Sequence, residues 1–182
     1  MTARALILVD IQNDYFPGGG WEVAGMEAAA ENAARLLLAA RAAGETVVHI
    51  RHEATVPEAP FFRPGTPGAE IAPVVAPEAG EMVLTKHRPN SFLGTGLDEV
   101  LRAAGVETVT VCGAMSQMCI DATARAAADL GFKVTVVSDA CGARAMSFEG
   151  VEVSAEAVHA AFMAALGSSY AKVVPVEVYL AG

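Results

Sequence analysis

Short apolar runs rich in β-branched residues alternate along this chain with longer stretches whose apolar positions recur every three or four residues. Ala5-Leu6-Ile7-Leu8-Val9 is the first run, with the unbroken hydrophobicity of a strand buried on both faces. Met26, Ala30, Ala33, Leu37 and Ala40 then share one face of a helix from Met26 to Ala43, and Gly44 stops it. Thr46–Ile50 and Met82–Thr85 read as the second and third strands. Leu97, Val100, Leu101 and Ala104 predict a helix ending at Gly105, and Val106–Cys112 a fourth strand. Ile120, Thr123, Ala124, Ala127 and Leu130 mark a helix ended by Gly131, before a fifth strand over Lys133–Val137. Ser154 is placed to cap a helix carrying Val158, Ala161, Phe162 and Ala165 and ended by Gly167. A sixth strand is expected over Val173–Tyr179, with Pro175 suited to an edge strand or a strand end.

Strands alternating with helices imply a parallel sheet covered on both faces. The expectation is one α/β domain over residues 1–182: a three-layer αβα sandwich around a doubly wound, mainly parallel, six-stranded Rossmann-like sheet. Residues 54 to 80 break the alternation. They are rich in proline and glycine, hold Phe61-Phe62, and read as a long ordered loop of the functional kind.

Composition narrows the function classes. Net charge is −9, with no Lys/Arg cluster, which argues against a nucleic-acid partner. No apolar run reaches the length of a bilayer span. Met1-Thr2-Ala3-Arg4 leads straight into the first strand without the layout of a secretory signal, so a cytoplasmic protein is expected. Three cysteines, Cys112, Cys119 and Cys141, do not suggest a disulfide framework in such a chain.

Sites in doubly wound sheets form beyond the carboxyl ends of the strands. Ionisable residues stand at that end of five successive strands: Asp10 (with Gln12, Asn13 and Asp14 just past it), Arg51 and His52, Lys86, Cys119 beyond Gly113, and Asp139. Cys119 opens a helix, where unpaired N–H groups and partial positive charge favour a thiolate and can hold an oxyanion. A lysine nearby would act in the same direction, and an aspartate could accept the thiol proton. Plainer roles stand beside these: a small core residue for Cys119, a loop cap for Asp10, a solvated surface charge for Lys86. Cys112, inside an apolar strand, and Cys141 read as structural.

Three blocks carry a likeness to a known family. They are Ala5-Leu6-Ile7-Leu8-Val9-Asp10-Ile11-Gln12-Asn13-Asp14-Tyr15-Phe16, Lys86-His87-Arg88-Pro89-Asn90-Ser91-Phe92-Leu93-Gly94-Thr95, and Gly113-Ala114-Met115-Ser116-Gln117-Met118-Cys119-Ile120-Asp121-Ala122-Thr123-Ala124-Arg125. In this order and spacing the chain resembles the isochorismatase-like cysteine hydrolases, over nearly its whole length. The resemblance implies a catalytic triad at Asp10, Lys86 and Cys119. It also implies a cis peptide between Ala114 and Met115 that aims the Met115 amide, with that of Cys119, at an oxyanion. Gln12, Phe16, Trp21, His52, Asn90 and Phe92 become candidate pocket residues, Trp21 the best of the aromatics because it follows a glycine-rich loop.

The metal-binding branch carries an Asp-x-His pair after the second strand. Here Arg51 stands at the aspartate position, which leaves a poor divalent site, so no metal and no cofactor are expected. The expected activity is hydrolysis of a non-peptide amide, carbamoyl or ureido C–N bond through a cysteine thioester, using a small-molecule substrate and water, in a homo-oligomer (dimer or tetramer). A vinyl-ether hydrolase that does not need the thiol, and a catalytically silent binding protein on the same fold, are the alternatives.

Overall fold

In the computed structural model, which describes residues 3–182, six strands form one sheet in the order β3-β2-β1-β4-β5-β8, every neighbouring pair parallel. Met1 and Thr2, on which the reading of the amino-terminus began, lie outside the described residues. The strands are β1 (Ala3–Val9), β2 (Thr46–His52), β3 (Met82–Lys86), β4 (Val106–Ala114), β5 (Lys133–Gly142) and β8 (Lys172–Val174). Helices α1 (Met26–Ala43), α2 (Leu97–Ala103), α3 (Asp121–Asp129), α4 (Ala155–Ser169) and α5 (Val176–Leu180) connect and follow them. None of these helices is long and apolar enough to cross a membrane.

Strand alternation divides the core into two layers. Ala5, Ile7 and Val9 of β1 face α2, α3 and α4, in a cluster with Leu97, Leu101, Ile120, Ala124, Met163 and Leu166. Leu6 and Leu8 point the other way, onto Met26, Ala30, Ala33 and Leu37 of α1 and Val176 of α5. Both faces of the sheet are therefore covered, as its long apolar strands require. Alanine on the buried face of α1 lets that helix approach the sheet closely.

Two expectations are corrected, and one element goes unread in the sequence. The sixth strand ends at Val174, because Pro175 has no N–H to extend the ladder; it serves instead as the N-cap of α5, which takes up the segment read as strand. Gly167 does not end α4, which continues to Ser169. Between β5 and α4 lies a small antiparallel hairpin, β6 (Met146–Phe148) paired with β7 (Val151–Val153), turned by Glu149 and Gly150 at positive φ. Its strands are too short to carry a strand period in the sequence. The cap at Ser154 is as expected, its Oγ accepting from Ala157 N at 3.2 Å.

The sheet order reverses between β1 and β4, so the crevice past their carboxyl ends is the ligand-binding position of this architecture. There β4 crosses β1 so closely that a Cβ on Gly113, at φ 124°, would collide with Val9 O. Gly113→Ala is expected to cost about 3 kcal/mol of stability, read as a lowered denaturant midpoint with an unchanged m-value.

At the opposite end, Glu81 accepts from Arg41 (Nε 2.7 Å, Nη2 2.9 Å) and contacts buried His49 Nε2 at 2.9 Å, tying α1, β2 and the start of β3. The Arg41 hydrogen bonds, acting against burial, hold the Glu81 carboxyl down to about 2, while burial lowers the His49 imidazole and keeps it neutral. A depressed carboxyl stabilises the fold above its unfolded value and loses that contribution as pH falls towards the folded one. The gap in unfolding free energy between wild type and Glu81→Gln should thus be about 2 kcal/mol above about pH 5 and close by about pH 2 in an acid denaturation series.

Candidate active site

Three strand ends deliver the central residues. Asp10 follows β1 directly and turns the chain with φ 53°, a conformation few non-glycine residues adopt. Its N–H stays on the ladder, donating to Ile50 O at 3.0 Å. Lys86 is the last residue of β3, in register with His52 at the end of β2. Cys119 lies beyond β4 in a single π turn, Ser116–Ile120, that opens α3. The Ala114–Met115 peptide leading into this turn is cis. Met115 O accepts from both Met118 N and Ile120 N, which fixes the turn.

The three side chains meet. Lys86 Nζ is 2.7 Å from Asp10 Oδ2 and 3.2 Å from Cys119 Sγ, and the three residues are 1%, 0% and 3% exposed. The Asp10 contact is a close ion pair off the alignment of a hydrogen bond, and Asp10 Oδ1 has no partner among the described residues. Lys86 also reaches His52 Nδ1 at 3.1 Å and Arg88 O at 3.1 Å.

Burial opposes ionisation of all three, and neighbouring charges decide the outcome. Asp10 is pushed up by burial but held below the usual carboxylate range by Lys86 and His52. Lys86 is pushed down by burial but held above the usual lysine range by Asp10 and Cys119. Cys119 goes the other way: burial and the Asp10 charge raise its thiol, and the Lys86 pull does not reverse this. The resting site is an Asp10–Lys86 ion pair beside a neutral thiol. The expectation of a resting thiolate is thereby corrected, because a helix terminus cannot offset full burial next to a carboxylate.

Asp10, His52 and Cys119 offer ligand atoms within 4.8 Å of one another, a grouping a small cation could use. The Lys86 ammonium already stands among them and meets their demand for positive charge. His49 is engaged by Glu81, and Arg51 by Glu53 at 3.1 Å and Thr85 at 3.3 Å.

The segment after β1 and the long loop build the wall of the site together. Asp14 accepts from Gly20 N and Phe62 N, and its carboxylate fills the space where Gly68 would carry a Cβ. Gln12 is fully buried, donates to His52 O and Ala69 O, and accepts from His52 N. These bonds place Phe62 against Tyr15 (4.6 Å between ring centroids) and His52 (5.7 Å), and Phe61 against Trp21 (4.9 Å, stacked). The Arg144 guanidinium lies over the Trp21 ring at 4.0 Å.

Of the pocket candidates, His52 contacts the central cluster and Trp21 joins the aromatic wall. Gln12 is corrected to a backbone brace, since both ends of its amide are bonded to the main chain. Phe92 stacks on Phe132 at 6.1 Å and packs against the core cluster that includes Cys119, and Asn90 Oδ1 accepts from Phe92 N to close its own turn. Phe16 packs on the α1 side of the core. Cys112 is buried in β4, and Cys141, pushed up to about 12 by burial, donates to Val137 O; both are structural.

Sequence reasoning placed Asp14 just past the first strand without giving it a role, and missed Tyr15 and Arg144. Burial and the negative charge of Asp10 hold the Tyr15 hydroxyl well above its usual range, so it is neutral. The Asp14-Tyr15 pair past the first strand was a signal for two of them; nothing local marked Arg144.

Over residues 4–177 the chain matches the family model described as the isochorismatase domain. It is 47% identical over 176 residues to the uncharacterized isochorismatase family protein YddQ of Bacillus subtilis, covering 97% of this chain and 98% of that protein. It is 38% identical over 154 residues to a maleamate amidohydrolase of Pseudomonas putida, covering 77% and 72%. A crystal structure from Oleispira antarctica superposes with a TM-score of 0.96 at 48% identity, covering 100% of this chain and 97% of that one. The match runs from the first strand into the last helix, and the chain belongs to the isochorismatase family, whose members are hydrolases that include amidohydrolases.

Proposed function

We propose that the chain is a cysteine amidohydrolase that cleaves a non-peptide amide-type C–N bond of a small molecule, with Cys119 as nucleophile and Asp10 as general base. One observation carries this reading: a single ammonium, Lys86 Nζ, touches both the Asp10 carboxylate and the Cys119 sulfur out of reach of bulk water. The similarity to a maleamate amidohydrolase supports the bond class.

The chemistry follows from the charges. Asp10 takes the Sγ proton as the sulfur attacks the carbonyl carbon. Negative charge then passes from Asp10 through sulfur to the substrate oxygen, where the Met115 and Cys119 amides receive it. Lys86 stays cationic throughout and keeps the exchange inside one electrostatic frame. Asp10 returns its proton to the leaving nitrogen, and an acyl thioester remains on Cys119. Asp10 next takes a proton from water, the resulting hydroxide attacks the thioester, the C–S bond breaks, and the sulfur recovers its proton.

The wall suggests what the substrate carries. Trp21 and Phe61 offer flat apolar faces, and Arg144, with no ion pair among the described residues, leaves the edge of its guanidinium free beside them. That edge fits a carboxylate bidentately. The substrate class is therefore a small amide bearing an acidic group.

Screening small amides, carbamoyl and ureido compounds for released ammonia should find a substrate that wild type turns over and Cys119→Ala does not. Retained turnover in Cys119→Ala would sink the nucleophile and favour vinyl-ether hydrolysis. Asp10→Asn separates the base from the fold: turnover should fall by about 10²–10⁴-fold, yet iodoacetamide should alkylate Cys119 faster than in wild type at neutral pH. The carboxylate that removes the proton in the reaction is also a charge that opposes the resting thiolate.

A further inference from the structure

We propose that His52 is the proton outlet of the site, carrying one proton per turnover from the buried Asp10–Lys86–Cys119 cluster to solvent. The proposal rests on the amidohydrolase reading above. It begins with a balance of protons. Hydrolysis of an amide at neutral pH gives a neutral amine, which leaves the site before it is protonated in bulk, and a carboxylic acid. At the end of the cycle Asp10 is again a carboxylate and Cys119 again a thiol. The ionisable proton of the acid product is thus in excess, and it stands beside an Asp10 carboxylate with no exposure to water.

Four groups surround Lys86 Nζ: Asp10 Oδ2, Cys119 Sγ, His52 Nδ1 and Arg88 O. An ammonium has three hydrogens, so one acceptor is always short of a donor. Arg88 O cannot carry a proton, and Asp10 and Cys119 are committed to the reaction. His52 is the member left over, and it is also the member with a surface, its side chain 20% exposed. Its Nδ1 faces inward, 3.1 Å from Lys86 Nζ and 3.8 Å from Asp10 Oδ2. Among the described residues Nε2 has no hydrogen-bond partner, and it is not one of their buried unpartnered atoms, so it is accessible to water.

An imidazole with one nitrogen on a buried ion pair and the other in contact with water can take a proton at Nδ1 and release one from Nε2. The proton reaches Nδ1 from Asp10 through Lys86 Nζ, which gives up one hydrogen as it takes another and stays cationic; the ring is left with its hydrogen on Nδ1, and a half-turn about χ2 restores the starting tautomer. The residue is also held in place through its backbone. The His52 main chain is clamped by Gln12 from both sides, N–H to Oε1 at 2.8 Å and C=O from Nε2 at 2.9 Å, and its face lies against Phe62. Gln12 thereby acts on the relay without touching the reacting atoms.

The test uses His52→Ala and His52→Asn with an amide found by the ammonia screen, and free imidazole as the probe. Expected is a kcat lower by about 10–100-fold with KM within about threefold of wild type. Added imidazole should restore kcat in His52→Ala in proportion to its concentration and leave wild type unaffected. His52→Asn, which keeps polarity but offers no bridging pair of nitrogens, should be as slow as His52→Ala and should not be rescued. Full turnover in either variant, or a loss in His52→Ala that imidazole does not relieve, overturns the relay. Undiminished turnover in Cys119→Ala would instead bring down the cysteine reading itself. A dead Cys119→Ala beside a fully active His52→Ala brings down the relay alone.

Discussion

A carboxylate and an ammonium, both withdrawn from water, stand 2.7 Å apart at the switch point of this sheet, and the surrounding structure is arranged to keep them there. Taking two charges out of water costs several kcal/mol for each, and their attraction recovers this only at close range. Removing one partner of such a pair typically costs about 3–5 kcal/mol, because the other is left buried and unpaired. An apolar pair of the same volume would serve the fold equally well. What it would not supply is a proton acceptor and a cation, in fixed relation, both able to act on one sulfur.

That pair also explains why Cys119 rests as a thiol. Cys119 faces a cation and an anion at once, and burial tips the balance towards the neutral form. Reactivity then depends on a substrate carbonyl that can receive the charge. A buried thiol of this kind is protected from adventitious electrophiles and oxidants, which act on thiolates. The thiol and the carboxylate meet the same ammonium.

The long loop over residues 54 to 80 is ordered by a few polar anchors rather than by regular structure. Asp14 gathers Gly20, Phe62 and the close approach of Gly68, while Gln12 joins Ala69 to the end of β2. Irregular backbone near a core leaves amides and carbonyls to satisfy, and these two side chains satisfy them. The result is an aromatic wall of Tyr15, Trp21, Phe61 and Phe62 with Arg144 at its edge. Gln12, one of these anchors, also holds the His52 main chain beside Lys86.

Much of this molecule was legible in one dimension because it depends on local periodicity. Apolar runs of strand length, helical stripes ended by glycine, and the Ser154 cap follow from backbone geometry, and with them the layered parallel sheet. The placing of Asp10, Lys86 and Cys119 at strand ends was legible too, since parallel strands bring their carboxyl ends to one side. Which side chains touch was not. Gln12 and Phe92 lie next to functional residues in the chain, yet the first is bonded along its whole amide to backbone and the second packs on Phe132. Arg144 is remote from every motif and reaches Trp21 only through the fold. The ionisation of Cys119 also had to wait for three dimensions, because it depends on burial and on distances to two charges that are far away along the chain. Residue type and spacing determined the elements and the candidate chemistry; contact, burial and charge balance were decided by packing, which brings together positions that no local pattern links.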